Sequence, residues 1–210
     1  MTDTRLSGLY AVTSQAITAS PERLQSAVAA ALRGGARLVQ YRDKWNPAGT
    51  RERNAKALLA LCREHAALLI INDDVALAAQ IGADGVHIGN SDTPLSEARR
   101  QLGPEAIIGV TCSSSLERAL AAQTGGASYV AFGRFYASTT KPDVPQAPLS
   151  LLAQARAQLH IPVCAIGGVT PQNASTLISR GADMIAAVDG VFGAADITTA
   201  ARAYATLFTR

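Results

Sequence analysis

The chain has 210 residues, 48% of them hydrophobic and 17% charged, which allows a sizeable apolar core and excludes a disordered polymer. Its net charge of +3, from 19 Lys and Arg against 16 Asp and Glu, is too slight to argue for nucleic acid, and no basic run is interleaved with aromatics. No apolar run approaches the roughly 20 residues of a membrane span, and Met1–Val12 is too poor in apolar residues for a signal peptide, so a cytoplasmic protein is the default expectation.

Short apolar runs alternate with amphipathic stretches from end to end. The runs are Leu9–Val12, Leu38–Tyr41, Leu68–Ile71, Gly85–Ile88, Ile107–Val110, Tyr129–Phe132, Pro162–Ile166 and Met184–Val188. Being apolar on both faces, they read as parallel strands buried beneath helices. Ser20-Pro21 predicts a capped helix start with proline at the first helical position. The stripe Leu24, Val28, Ala31, Leu32 continues that helix, and Gly34-Gly35 closes it. Similar stripes run through Ala55, Leu58, Leu59, Cys62 and through Leu152, Ala155, Leu159. A Gly-Ala pair recurs at Gly35-Ala36, Gly82-Ala83, Gly126-Ala127 and Gly181-Ala182, each separation about two βα units long. Eight such units and no leftover linker predict one domain spanning 1–210, an α/β chain closed into a (β/α)8 TIM barrel of parallel strands. Cys62, Cys112 and Cys164 lie far apart with no Cys-x-x-Cys, so buried free thiols are expected rather than a disulfide or zinc site. The longest structureless stretch, Gly133–Pro148, is a candidate lid.

In such a barrel the active site lies at the carboxyl ends of the strands, and nearly every strand exit here is polar or glycine-rich. Gln40, Arg42 and Lys44 share spacing two at one exit, where two cations and an amide would suit a phosphorylated ligand; solvated charges at a strand end are the plain alternative. Asp73 and Asp92 leave adjacent strands and would suit Mg2+, with helix capping an even rival. Asp74, directly before Val75, reads as the cap. Gly167-Gly168 before Thr170-Pro171 would cradle a phosphate through backbone N–H groups, or serve an ordinary turn. A lone strand histidine, His87, is more often a hydrogen-bonding residue than a substrate contact, and Trp45 reads as loop packing.

The ordered set of exit segments resembles the thiamine phosphate synthase family over essentially the whole chain. It is carried by Gln40-Tyr-Arg-Asp-Lys44, Ile71-Asn-Asp-Asp74, Asp84-Gly-Val-His-Ile-Gly89 with Asp92, and Ile108-Gly-Val-Thr111. Tyr129-Val-Ala-Phe-Gly133, Ser138-Thr-Thr-Lys141 and Ala165-Ile-Gly-Gly168 complete it. The resemblance implies a Mg2+-dependent transferase joining hydroxymethylpyrimidine diphosphate to hydroxyethylthiazole phosphate. It implies that Gln40 and Asn72 hold the pyrimidine, and that Arg42, Lys44, Asn72 and Lys141 grip the diphosphate. Asp73 and Asp92 would hold Mg2+, while Thr111, Ser138, Thr140 and backbone around Gly168 and Asp189 serve substrate phosphates. No nucleic-acid or membrane partner is implied, and association of identical copies stays open. Four positions depart from the family pattern: Asn90 replaces a glutamine, Ser113 a histidine, Arg134 a proline and Asp189 a serine. The related thiazole tautomerase is one rival; it works without metal and carries a histidine where this chain has Ser113. A non-catalytic thiamine-phosphate-binding barrel is another. A sugar-phosphate enzyme using Lys141 with Asp73 as an acid-base pair is a third.

Overall fold

A computed structural model describes residues 4–137 and 145–208. The chain alternates strands and helices throughout. In order they are β1 (Gly8–Val12), α1 (Gln15–Thr18), α2 (Pro21–Arg33), β2 (Ala36–Tyr41), α3 (Ala48–Glu64), β3 (Leu68–Asn72), α4 (Val75–Ile81), β4 (Gly85–Ile88) and α5 (Leu95–Leu102). The second half continues with β5 (Ile107–Ser113), α6 (Leu116–Thr124), β6 (Tyr129–Phe132), α7 (Ser150–Gln158), β7 (Val163–Ile166), α8 (Pro171–Ser179), β8 (Met184–Ala187), α9 (Asp189–Phe192) and α10 (Ile197–Ala205). The eight strands are parallel neighbours in chain order, and β8 pairs back with β1 to close the barrel.

Two apolar shells follow from the strand period of two. One set of positions, including Leu9, Val39, Leu69, Val86, Ile108 and Val130, packs beneath the helices. The alternate set, including Tyr10, Leu38, Ile70, Ile107, Tyr129, Cys164 and Met184, fills the barrel interior. The three cysteines are free and buried, as their spacing implies. Ser20 caps α2, its hydroxyl accepting from the Arg23 N–H at 3.3 Å, with Pro21 opening the helix. Among the described residues no helix is long and apolar enough to cross a membrane.

The recurring Gly-Ala pair marks the turn from a helix into each even-numbered strand. Its glycines have φ of +98°, +65°, +85° and +112°, a region an L side chain avoids. In three of the four turns the next residue ties the barrel floor together. Asp84 accepts from the Leu69 N–H at 2.8 Å, Ser128 from Ile108 at 3.0 Å and Asp183 from Val163 at 2.8 Å. Each even strand thereby secures the first amides of the odd strand before it. Two short helices, α1 and α9, lie outside the simple alternation; a run of four residues carries no periodicity to detect.

Candidate active site

The residues that continue the inward parity at the carboxyl ends of the strands are polar. Gln40 follows Leu38, Asn72 follows Ile70, His87 follows Gly85, and Thr111 lies two inward steps beyond Ile107. The interior therefore changes from apolar to hydrogen-bonding as it approaches the mouth.

The β2 exit is shaped by Asp43 rather than by its cations. Tyr41 donates its hydroxyl to Asp43 Oδ2 at 2.8 Å, and Asp43 Oδ1 accepts from the backbone N–H groups of Trp45 at 3.1 Å and Asn46 at 3.0 Å. Burial pushes the Asp43 carboxyl up, but the Asn46, Tyr41 and Trp45 donors outweigh it and hold it below the usual range. Arg42 is clamped by Thr13, which donates to its carbonyl at 3.0 Å and accepts its N–H at 2.8 Å. The tight turn at Asp43 leaves Lys44 and Trp45 exposed. Trp45 is 43% exposed, with the Arg42 guanidinium 5.5 Å from its ring centroid, so it is a mouth residue and not loop packing.

Asp73 and Asp92 converge, as their adjacent strands allow. Lys44 Nζ lies 2.7 Å from Asp73 Oδ2, with the lysine side chain 51% exposed. Burial raises the Asp73 carboxyl, yet Lys44 and contact with Asp92 bring it net below the ordinary value. Burial and then the Asp73 carboxyl push Asp92 the other way, above it. Asp92 Oδ2 accepts the Gly89 N–H at 2.6 Å, an approach that a Cβ on Gly89 would obstruct at 2.8 Å. The capping alternative fails for both. Asp74 caps α4 through the Leu77 N–H at 3.0 Å, and α5 begins behind Pro94. Asp73 itself holds φ +62°, a left-handed conformation that is unfavourable away from glycine. Two carboxylates brought together beside one lysine are a hard-oxygen donor pair suited to Mg2+, which needs only one or two protein carboxylates and takes its remaining ligands from water and phosphate.

Across the barrel interior, just beneath the mouth, runs a chain of buried polar groups. Gln40 Nε2 donates to the Tyr10 hydroxyl at 2.8 Å, and the Tyr10 and Tyr129 hydroxyls share a hydrogen bond of 2.9 Å. Tyr129 lies 2.9 Å from His87 Nδ1, and His87 Nε2 lies 2.8 Å from Thr111 Oγ1. His87 thus has the hydrogen-bonding role expected of a lone strand histidine. Burial pushes both phenols far above the ordinary tyrosine value, so they act as neutral hydroxyls. The strand-exit pattern does not single out Tyr10 and Tyr129; their signal is a phenol at an inward position of an apolar strand, where its hydroxyl needs a partner.

On the far side, Gly167 and Gly168 have φ of +100° and +63°, and Cβ atoms there would lie 2.2 Å from Arg134 Cβ and 2.1 Å from the Ala137 carbonyl. The glycine pair therefore lets the loops after β6 and β7 touch. Asp189 is exposed at the start of α9. The β4 and β5 exits also approach each other at Asn90: with its amide turned so that both ends are matched, it donates to the Thr111 carbonyl at 3.0 Å and accepts from Arg118 at 2.8 Å. Ser138, Thr140 and Lys141, and with them the middle of the candidate lid, lie outside the described residues.

Comparison with known proteins agrees with this geometry. A model of the thiamine monophosphate synthase (TMP-TENI) family matches residues 9–191. The chain is 55% identical to thiamine-phosphate synthase of Thioalkalivibrio sulfidiphilus over 99% of both chains. It is 52% identical to thiamine-phosphate synthase of Alcanivorax borkumensis, covering 97% of this chain and 95% of that one. The solved structure of thiamine phosphate pyrophosphorylase from Pyrococcus furiosus superposes with a TM-score of 0.87 at 33% identity, covering 97% and 96% of the two chains. On that evidence the chain belongs to the thiamine monophosphate synthase family.

Proposed function

We propose that the chain is a Mg2+-dependent transferase that joins hydroxymethylpyrimidine diphosphate to hydroxyethylthiazole phosphate, giving thiamine phosphate and pyrophosphate. The observation that carries this reading is the Lys44–Asp73–Asp92 cluster standing at the mouth above an amide-bearing polar chain. Gln40 and Asn72 orient the aminopyrimidine. Arg42, Lys44, Asn72 and Lys141 bind the diphosphate, and Asp73 with Asp92 hold Mg2+. Thr111, Ser138, Thr140 and the backbone around Gly168 and Asp189 bind substrate phosphate.

The chemistry needs charge stabilisation and alignment more than a protein nucleophile. The exocyclic C–O bond breaks and its electron pair leaves with the diphosphate. The resulting cation is delocalised into the aminopyrimidine, and the thiazole nitrogen lone pair then closes the new C–N bond. The three cysteines cannot compete as nucleophiles, because burial holds their thiols at about 12. When bound, Mg2+ neutralises and orients the departing diphosphate. Together with Arg42, Lys44 and Lys141, and less the two carboxylates, it leaves about +3 against roughly −3 on the diphosphate.

The test is direct. Purified protein, Mg2+ and both substrates are mixed, and thiamine phosphate and pyrophosphate are measured. Product in stoichiometric amounts, lost when the metal is omitted, is the expected result. Turnover unaffected by chelation would remove the metal assignment, and absence of product would remove the synthase reading.

A further inference from the structure

The buried polar chain beneath the mouth has a direction, and the direction decides what the pocket offers a ligand. Gln40 Nε2 carries only hydrogens and so donates to Tyr10. The Tyr10 hydroxyl is buried, and among the described residues the acceptor within reach of its own hydrogen is Tyr129, at 2.9 Å. Tyr129, having accepted, donates onward to His87 Nδ1. A neutral imidazole whose Nδ1 accepts carries its hydrogen on Nε2, which then donates to Thr111 Oγ1. The Thr111 hydroxyl hydrogen is thereby turned away from His87. With the Gln40 amide nitrogen turned toward Tyr10, every link is satisfied in this sense, in keeping with the low tolerance of buried polar groups for a missing partner.

We infer that Tyr10, Tyr129 and His87 are positioning residues that lock this polarity, so that the pocket presents an acceptor, Gln40 Oε1, on the β2 side and a donor, the Thr111 hydroxyl, on the β5 side. Reversal of the chain would swap both ends together: Gln40 would offer its NH2 group, and Thr111 a lone pair. The observed sense fits a ligand that is an amino-substituted nitrogen heterocycle joined to an anion. Its amino group donates to Gln40, and its phosphate oxygens accept from Thr111. An acceptor on the amino hydrogens also pushes electron density into the ring, which favours departure of an anionic group from the exocyclic carbon. This last point rests on the function proposed above; the polarity itself does not.

Two measurements separate the parts. The first is the tautomer of His87 in the intact protein, read from its ring 15N resonances and assigned by the His87→Gln variant. A hydrogen on Nε2 is expected; a hydrogen on Nδ1 would overturn the inference whatever the enzyme does. The second compares the 4-amino diphosphate substrate with its 4-oxo analogue, which presents an acceptor to Gln40. The locked acceptor should make the wild type prefer the 4-amino compound. Tyr129→Phe should lower that preference about tenfold or more, because Gln40 is freed to turn its NH2 group toward the oxo compound. A purely structural role predicts equal losses on both compounds, and that result would refute the lock. If Tyr129→Phe fails to fold, Tyr10→Phe interrupts the same chain at its other hydroxyl. Failure of the wild type to make thiamine phosphate would remove the function and leave the tautomer result standing.

Discussion

Gly109 is the position where a single methyl group should do most damage to the site without touching its charged residues. A Cβ built there lies 2.0 Å from Tyr129 Cζ, 2.3 Å from its hydroxyl and 2.4 Å from Cε1. Carbon atoms in ordinary contact stand about 3.5–4.0 Å apart, so the ring must move by roughly 1.5 Å. It has nowhere to go. Tyr129 is fully buried, set edge-on to Tyr10 at 6.0 Å and stacked on His87 at 5.6 Å. A shift of that size breaks the 2.9 Å bonds to Tyr10 and His87. Overpacking costs about 1–3 kcal/mol, and each buried group left unpaired about 1–3 kcal/mol more. Gly109→Ala should therefore cost roughly 3 kcal/mol or more, lowering Tm by about 6–12 °C in a chain of this length. Calorimetry, with kcat/KM for thiamine phosphate formation measured on the folded fraction, is the assay. The double variant Gly109→Ala/Tyr129→Leu removes the ring that clashes, so Tyr129→Leu should cost less in the Gly109→Ala background than in the wild type. An unchanged Tm and full activity in Gly109→Ala would refute the packing argument. Simple additivity in the double variant would show that the two residues do not collide.

Other consequences can be checked alongside it. Asp92 is held above its usual value by burial and by Asp73, so its ionisation opposes folding, and its own contribution to metal-free stability should be lost as pH rises above about 4. Asp92→Asn relieves roughly 1 kcal/mol of like-charge repulsion and should raise the metal-free Tm at pH 7 by about 2–4 °C, while coupling is lost; a lower Tm would contradict the account. Trp45 is the one tryptophan and carries Arg42 over its ring at 5.5 Å. Titration with Mg2+ and inorganic pyrophosphate should shift its fluorescence, and Arg42→Ala should abolish the response; a response that persists in the variant would separate Arg42 from diphosphate binding. At the floor, Asp183 is raised by burial while accepting the Val163 N–H. Asp183→Ala orphans that amide at a cost of about 1–3 kcal/mol, whereas Asp183→Asn keeps the acceptor without the buried charge. Thermal melts at pH 7 should show the alanine variant lowered by roughly 3–10 °C and the asparagine variant at or above wild type; equal losses would disprove the role of the acceptor.

What can be read from the sequence divides along the range of the interactions. Strand positions are legible because an apolar run bounded by turn residues is local. The eight runs found by pattern match the eight strands closely, with β5 extending to Ser113 through a register shift that no local pattern announces. The Gly-Ala turn is legible as a repeat, but its third residue is not, because the amides that Asp84, Ser128 and Asp183 accept belong to the preceding strand. Asp73 and Asp92 illustrate the boundary. Asp74 is legible as the cap from its place before Val75, but spacing leaves capping and metal binding balanced for Asp73 and Asp92, and only the pairing of β3 with β4 brings the two carboxyls together. The buried polar chain lies furthest from sequence. Its members come from β2, β1, β6, β4 and β5, so no window contains two of them, and Tyr10 and Tyr129 sit in runs whose other residues are apolar. Yet each carries a trace in the composition of its own strand: a phenol, an imidazole or an amide at an inward position is a group that must find a partner inside the barrel. Inward parity combined with an unsatisfied donor is therefore a criterion that works on strand sequence alone. Here it selects Tyr10, Gln40, Asn72, His87, Thr111 and Tyr129, and all but Asn72 are joined by the closed barrel into one chain.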